Sequence, residues 1–259
     1  AMLCGSVAGG YIAQISNLGV PYVLRAGILV ITFVLAFLFM KDSGFTPAKS
    51  SRPMKAMKTI FQKSVTLGLK IDPVHCLLLF SRFSGGIGIY AFYAMQPYLL
   101  ELYGNSEAYG IAGLAAAIVA GAQIFGGLLV PVVRKILKKR TTALLIGAFL
   151  SAVCIVMIGL FPNFWLAIVL LVVWALMFAT MIPIRQAFLN DLIPSEQRAT
   201  VLSFDALMDS AGGVVFQPLL GRSADVWGYS FSYIVAGFIS VLALPFVWLA
   251  RREKKSADM

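Results

Sequence analysis

The chain has 259 residues, of which 60% are hydrophobic and only 12% charged, and its basic residues outnumber its acidic ones by 10. A soluble domain is about half apolar and about a quarter charged, so a mean hydropathy of +0.89 excludes an ordinary water-soluble fold. A single histidine (His75) and three cysteines (Cys4, Cys76, Cys154) without metal-ligand spacing leave little material for a metal centre, a disulfide framework or a histidine-based active site.

Residues 1–15 are apolar, but as a helix they reach only about 22 Å, short of the roughly 30 Å bilayer core. No basic leading region precedes them, so they do not read as a signal peptide. They read as a span opened at its amino-terminal end, and Gly5, Gly9 and Gly10 predict close packing on another helix. A second span is expected at 22–40. Residues 41–76 form the one long polar connection. Ser43-Gly44, Pro47, Ser50-Ser51 and Pro53 mark a linker. From Pro53 to about Leu69, Met54, Met57, Ile60, Phe61 and Val65 alternate with Lys55, Lys58 and Lys63 at helical spacing. That pattern predicts an amphipathic helix on the inner membrane surface, where anionic headgroups attract the lysines. Six further spans are expected at 77–100, 109–131, 141–160, 164–184, 199–220 and 231–250.

The charges orient these spans. Segments 41–76, 132–140, 185–198 and 251–259 hold 18 of the 21 Lys and Arg residues, whereas 101–108 and 161–163 hold none and 221–230 holds Arg222 alone. This is the positive-inside bias, and it predicts a multi-pass protein of the cell membrane with its carboxyl terminus in the cytoplasm. The positive charge serves orientation rather than nucleic-acid binding.

The six later spans form two triplets. Phe125-Gly126-Gly127-Leu128-Leu129 and Phe216-Gln217-Pro218-Leu219-Leu220 close the second span of each, one towards the inside and one towards the outside. Related three-helix units of opposite orientation are the mark of inverted-repeat transporters. A more specific likeness lies in Ile182-Pro183-Ile184-Arg185-Gln186-Ala187-Phe188-Leu189-Asn190 and Ile193-Pro194-Ser195-Glu196-Gln197-Arg198-Ala199-Thr200. This stretch resembles the loop between helices ten and eleven of the major facilitator superfamily, with Arg185, Asn190, Pro194 and Arg198 as its motif residues. Ser210-Ala211-Gly212-Gly213, Gln217-Pro218-Leu219-Leu220-Gly221 and Ala224-Asp225-Val226-Trp227-Gly228 are similar to helix eleven and the turn into helix twelve. The resemblance implies an all-α membrane bundle covering helices five to twelve. Residues 1–40 would then be the remnant of an amino-terminal half, 41–76 the central cytoplasmic loop and 77–259 a six-span transport domain. Two departures stand out. Ser6, within Gly5-Ser6-Val7-Ala8-Gly9-Gly10, occupies the place of a proline that many antiporters of the superfamily carry. Gly127-Leu128-Leu129-Val130-Pro131-Val132 lacks the Asp and Arg usual in the loop between helices eight and nine.

Ionisable groups inside a membrane are costly and mark function. Arg82, Asp205 and Asp209 are the three expected there. Asp205 and Asp209 lie four apart on one helix face and are the proton-coupling candidates, with Asp209 near mid-span. Arg82, nearer the cytoplasmic end, is expected as a charge partner for an Asp or as an anion contact. The resemblance implies that spans 77–100 and 164–184 line a central cavity. Tyr90, Tyr93 and Gln96 from the first, and Trp174, Met177, Phe178 and Met181 from the second, are its candidate lining, a surface suited to bulky apolar or cationic solutes. Gly85, Gly86 and Gly88 predict close helix approach.

A membrane enzyme would need a catalytic constellation, and an ATP-driven pump a phosphate-cradling glycine loop; neither is legible. The expected function is secondary active transport without a cofactor, most simply proton-coupled efflux of a drug-like compound by alternating access and by a monomer. Uptake of a sugar or organic acid by symport is the alternative within transport. A membrane scaffold or receptor is the alternative outside it.

Overall fold

The computed structural model describes residues 2–40, 72–195 and 198–253. The expected linker and surface helix over 41–71 fall outside them. All the regular structure among the described residues is helical: α1 (Met2–Ile15), α2 (Gly19–Phe39), α3 (Asp72–Tyr103), α4 (Tyr109–Ile136), α5 (Arg140–Leu160), α6 (Phe164–Leu192), α7 (Arg198–Val241) and α8 (Leu244–Glu253). Among the described residues, six helical stretches are long and apolar enough to cross a membrane, the last running over Arg198–Arg252. That stretch is not one rod. At Gly228 the backbone takes φ +84° and ψ 163°, a region open essentially to glycine alone, and the chain reverses there. The arm before it runs beside α3, with Phe216 against Phe83; the arm after it returns, placing Ser232 beside Tyr90 and Phe246, on α8, beside Phe83. With α8 continuing the second arm, the described residues hold a helical rod for each of the eight expected spans.

Element limits differ from expectation where polar residues end an apolar run but not a helix. α3 begins at Asp72 rather than 77, with Pro73 in its first turn, where the missing amide hydrogen costs nothing. α2 begins at Gly19 rather than 22, where Asn17 Oδ1 accepts from the amides of Gly19 and Val20 at 2.8 and 3.3 Å. α6 continues eight residues past 184 to Leu192. Helix interiors tolerate Pro97, Pro131, Pro183 and Pro218, as membrane bundles do when neighbouring groups satisfy the freed carbonyls.

α3 packs most extensively on α7, α4 on α6 and α1, and α5 on α6 and α7. The α3–α7 crossing is glycine on glycine: a Cβ at Gly86 would stand 2.7 Å from the carbonyl carbon of Gly212, so only the absent side chains let the backbones meet. The interior divides into two apolar clusters. One centres on Tyr98, Trp174 and Tyr233, the other on Leu77, Leu144, Phe188 and Val247. Buried tyrosine hydroxyls tie the first together. Tyr98 donates to Ile158 O at 3.1 Å and Tyr233 to Ala91 O at 3.0 Å, while Tyr90 pairs with Ser232, whose hydroxyl also reaches Leu220 O.

The α1–α2 pair is attached differently. α1 lies along α4, where a Cβ at Gly10 would meet Gly113 Cα at 2.8 Å and one at Gly113 would meet Ser6 O at 2.6 Å. Among the described residues, the close packing expected of this span is seen at Gly10. Gly5 and Gly9 have no neighbour within 4 Å of such a Cβ. α2 contacts α1 and buries no residue.

Candidate transport site

The charged side chains within the bundle meet where α3, α6 and α7 converge. Arg185 sits in the last third of α6, two residues beyond Pro183, and Asp205 lies two turns into α7. The guanidinium grips the carboxylate through both terminal nitrogens, with Nη1–Oδ2 at 2.8 Å, Nη2–Oδ1 at 2.8 Å and Nη2–Oδ2 at 2.7 Å. Each side chain is 13% exposed. The Ser81 hydroxyl on α3 lies 3.2 Å from Asp205 Oδ1 and 2.9 Å from Leu78 O, sharing its hydrogen between them. Bidentate geometry and low exposure make this a strong pair that costs more to break than to keep.

Sequence reasoning offered Arg82 as the charge partner of an aspartate, and for Asp205 the structure corrects it. Arg82 is exposed, and its Nε and Nη2 lie 3.1 and 2.8 Å from Met208 Sδ instead. The pairing with Arg185 was missed because the loss of hydropathy after Ile184 ended the expected span there. Arg185 then read as a loop residue, although α6 carries it on into the bundle.

One turn beyond Asp205, Asp209 rests its carboxylate directly on Gly85 of α3, in space that any side chain at 85 would fill. It is half-buried and makes no hydrogen bond or ion pair among the described residues, while Arg185 and Asp205 both act on it electrostatically. An ion-paired aspartate and an unpaired one thus stand on the same helix face.

The candidate cavity residues separate into two groups. Tyr93 is 71% exposed and Gln96 is also exposed, on the open side of α3. Tyr90 and Trp174 turn into the bundle instead: Tyr90 because its hydroxyl engages Ser232, Trp174 (2% exposed) because it stacks on Phe178 at 5.4 Å. Trp174, Phe178 and Met181 line a cavity of about 30 Å³ inside the helix bundle, with Phe80, Ser84 and Ser151. Its size suits one water rather than a solute. Met177 is half-buried.

Of the loop-motif residues, Arg198 Nη2 donates to Asn190 O at 3.2 Å and Pro194 is exposed. Next to Asn190, Asp191 forms an ion pair with Arg140 at the start of α5, a contact the sequence reading did not identify. Its signal was an acid at the end of one span and a base at the start of another. Among the described residues no cluster of three or more His, Cys, Asp or Glu side chains is placed to hold a metal.

The Major Facilitator Superfamily profile matches residues 78–258, the whole of α3 to α8 but for the first turns. The chain belongs to the Major Facilitator Superfamily. A solved superfamily-type structure with the same fold is that of a bacterial homologue of the human lysosomal transporter Spinster, in an inward-facing and unoccupied conformation. The two superpose with a TM-score of 0.60 at 18% sequence identity over 98% of this chain, which spans 66% of that one. No curated protein matches the sequence. Membership makes this a multi-pass membrane protein.

Proposed function

We propose that this chain forms part of a secondary active transporter that moves a small solute by alternating access, coupled to protons and directed to efflux of a bulky apolar or cationic compound. The observation that supports this most is Asp209. A carboxylate midway along a membrane helix, without an ion-pair partner among the described residues and next to a paired Arg185–Asp205, is costly when charged and so suited to taking up and releasing a proton. Asp205, held by Arg185, would set the field that Asp209 feels, and the exposed Tyr93 and Gln96 would face the solute. In the same reading residues 1–40 are the last two helices of an amino-terminal half, 41–76 is a cytoplasmic loop, and the carrier works as a monomer in the cell membrane with its carboxyl terminus inside.

The test is Asp209→Asn in the complete carrier reconstituted into vesicles, with and without an imposed pH gradient. Asparagine keeps shape and hydrogen bonding but carries no proton. Gradient-driven accumulation should vanish while solute exchange without a gradient persists. Normal pH-driven accumulation by the variant would refute the coupling role.

A further inference from the structure

The cavity of about 30 Å³ lies among α3, α5, α6 and the second arm of α7, and no residue of α1, α2 or α4 lines it. None of its lining residues is exposed. Phe178 and Met181 wall it from seats against glycines. A Cβ at Gly88 would stand 2.7 Å from the Phe178 ring, and one at Gly147 would stand 2.8 Å from Met181. These close contacts hold the two side chains in place as walls.

Three serine hydroxyls from three helices share this cavity: Ser84 on α3, Ser151 on α5 and Ser240 on α7. A serine inside a helix often donates to a carbonyl one turn back, as Ser210 does to Ala206 O and Ser240 to Ala236 O. Ser151 is 6% exposed, and its Oγ makes no hydrogen bond among the described residues. Ser84 Oγ makes none among them either. A buried hydroxyl without a partner is costly, so native interiors supply one. No acidic or basic side chain lines the cavity.

We propose that the cavity is a binding site for an ordered water that joins α3, α5 and the second arm of α7 through these three serines. The proton of Ser240 is spent on Ala236 O, so its oxygen can only accept, and the water donates to it. The Ser151 hydroxyl donates to the water, and Ser84 takes one of the two bonds that the water has left. A buried water needs two to four polar partners and roughly 10–15 Å³, and the cavity supplies both. An ion would find no counter-charge there, and an apolar guest would leave the Ser151 hydroxyl unpaired. The site is independent of Asp209 and of the transport reading.

The experiment exposes the complete carrier in nanodiscs to short X-ray pulses, which split water where it is bound and oxidise the side chains beside it. Met181, which is 8% exposed, reports on water in the cavity, and Met95, which is 0% exposed and not part of its lining, is the reference. Mass spectrometry should show Met181 oxidised faster than Met95 by about fivefold or more. Ser151→Val removes the hydroxyl and fills its space with methyl groups, so it should bring Met181 down to the Met95 rate. Ser151→Ala tests the site by the sign of its effect on stability. Removing an unpaired buried hydroxyl raises the unfolding midpoint, whereas removing the partner of a bound water lowers it, here by about 2–4 °C. Equal oxidation of Met181 and Met95 in the unaltered carrier overturns the proposal. So does a Met181 rate that Ser151→Val leaves unchanged, or a midpoint that Ser151→Ala fails to lower.

Discussion

At the scale of single residues, the carboxylates of Asp205 and Asp209 share a helix face yet meet opposite circumstances, and substitutions should separate them. Asp205 is held by both terminal nitrogens of Arg185. Arg185→Ala would leave a carboxylate in a 13%-exposed site with Ser81 as its remaining hydrogen-bond partner among the described residues, at a cost of about 3–5 kcal/mol. The double change Arg185→Ala with Asp205→Ala should cost clearly less than the two single changes added, since no lone charge remains. Unfolding in detergent micelles over the four-member cycle checks this, and simple additivity would contradict a functioning ion pair. Asp209 depends on a neighbour of another kind. The Cβ of Gly85→Ala would occupy the seat of its carboxylate, so this substitution should impair pH-driven accumulation much as Asp209→Asn does. Expression level and vesicle flux together distinguish this from misfolding, because a displaced carboxylate leaves the amount of inserted protein near normal.

At the scale of elements, Gly228 decides whether α7 is one rod or two arms. Its φ of +84° with ψ 163° is a conformation that costs a side-chain-bearing residue about 1–3 kcal/mol. Gly228→Ala should lower stability by about that amount, whereas Gly221→Ala, in open space on the same element, should cost far less; paired unfolding measurements read the difference. The sequence made the two arms legible through the hydropathy drop around Arg222 to Gly228 and through the motif ending at Gly228. It was less informative wherever a helix outlasts its apolar run. Hydropathy reports where a segment is content in lipid, but backbone hydrogen bonds persist until a turn interrupts them. Arg185 fell in that margin, and so the principal ion pair of the site was not foreseen, although both partners had been singled out separately. Tyr90 and Trp174 show the complementary limit. Helical spacing places residues on a face, but which face turns inward depends on partners such as Ser232 and Phe178 that lie far away in the chain.

At the scale of the whole molecule, the ends of the helices carry the prediction. In cells, a reporter fused after Glu253 should be cytoplasmic, and Asn105→Cys, in a Cys4→Ser background, should react with an impermeant maleimide from outside. Reaction of both ends from one side would remove the proposed orientation. A second expectation concerns sufficiency. Alternating access rocks two helical halves about a solute held between them, and in the proposed reading only α3 to α8 make up such a half. Residues 1–259 reconstituted alone should show no saturable, gradient-dependent flux in a vesicle uptake assay; such flux would overturn the two-half reading.

The contact of Gly10 with Gly113 carries a consequence for how this protein can vary. Where a large residue faces a small one, a mutation on one side can be answered by the opposite change across the interface, and the pair can drift in composition at constant volume. Gly10 and Gly113 already carry the smallest side chain there is, and each approaches the other's backbone to within contact. Neither can shrink to accommodate growth in its partner. Gly10→Ala and Gly113→Ala should therefore each loosen α1 from α4, no substitution opposite should repair either, and the two positions are barred from exchanging size altogether.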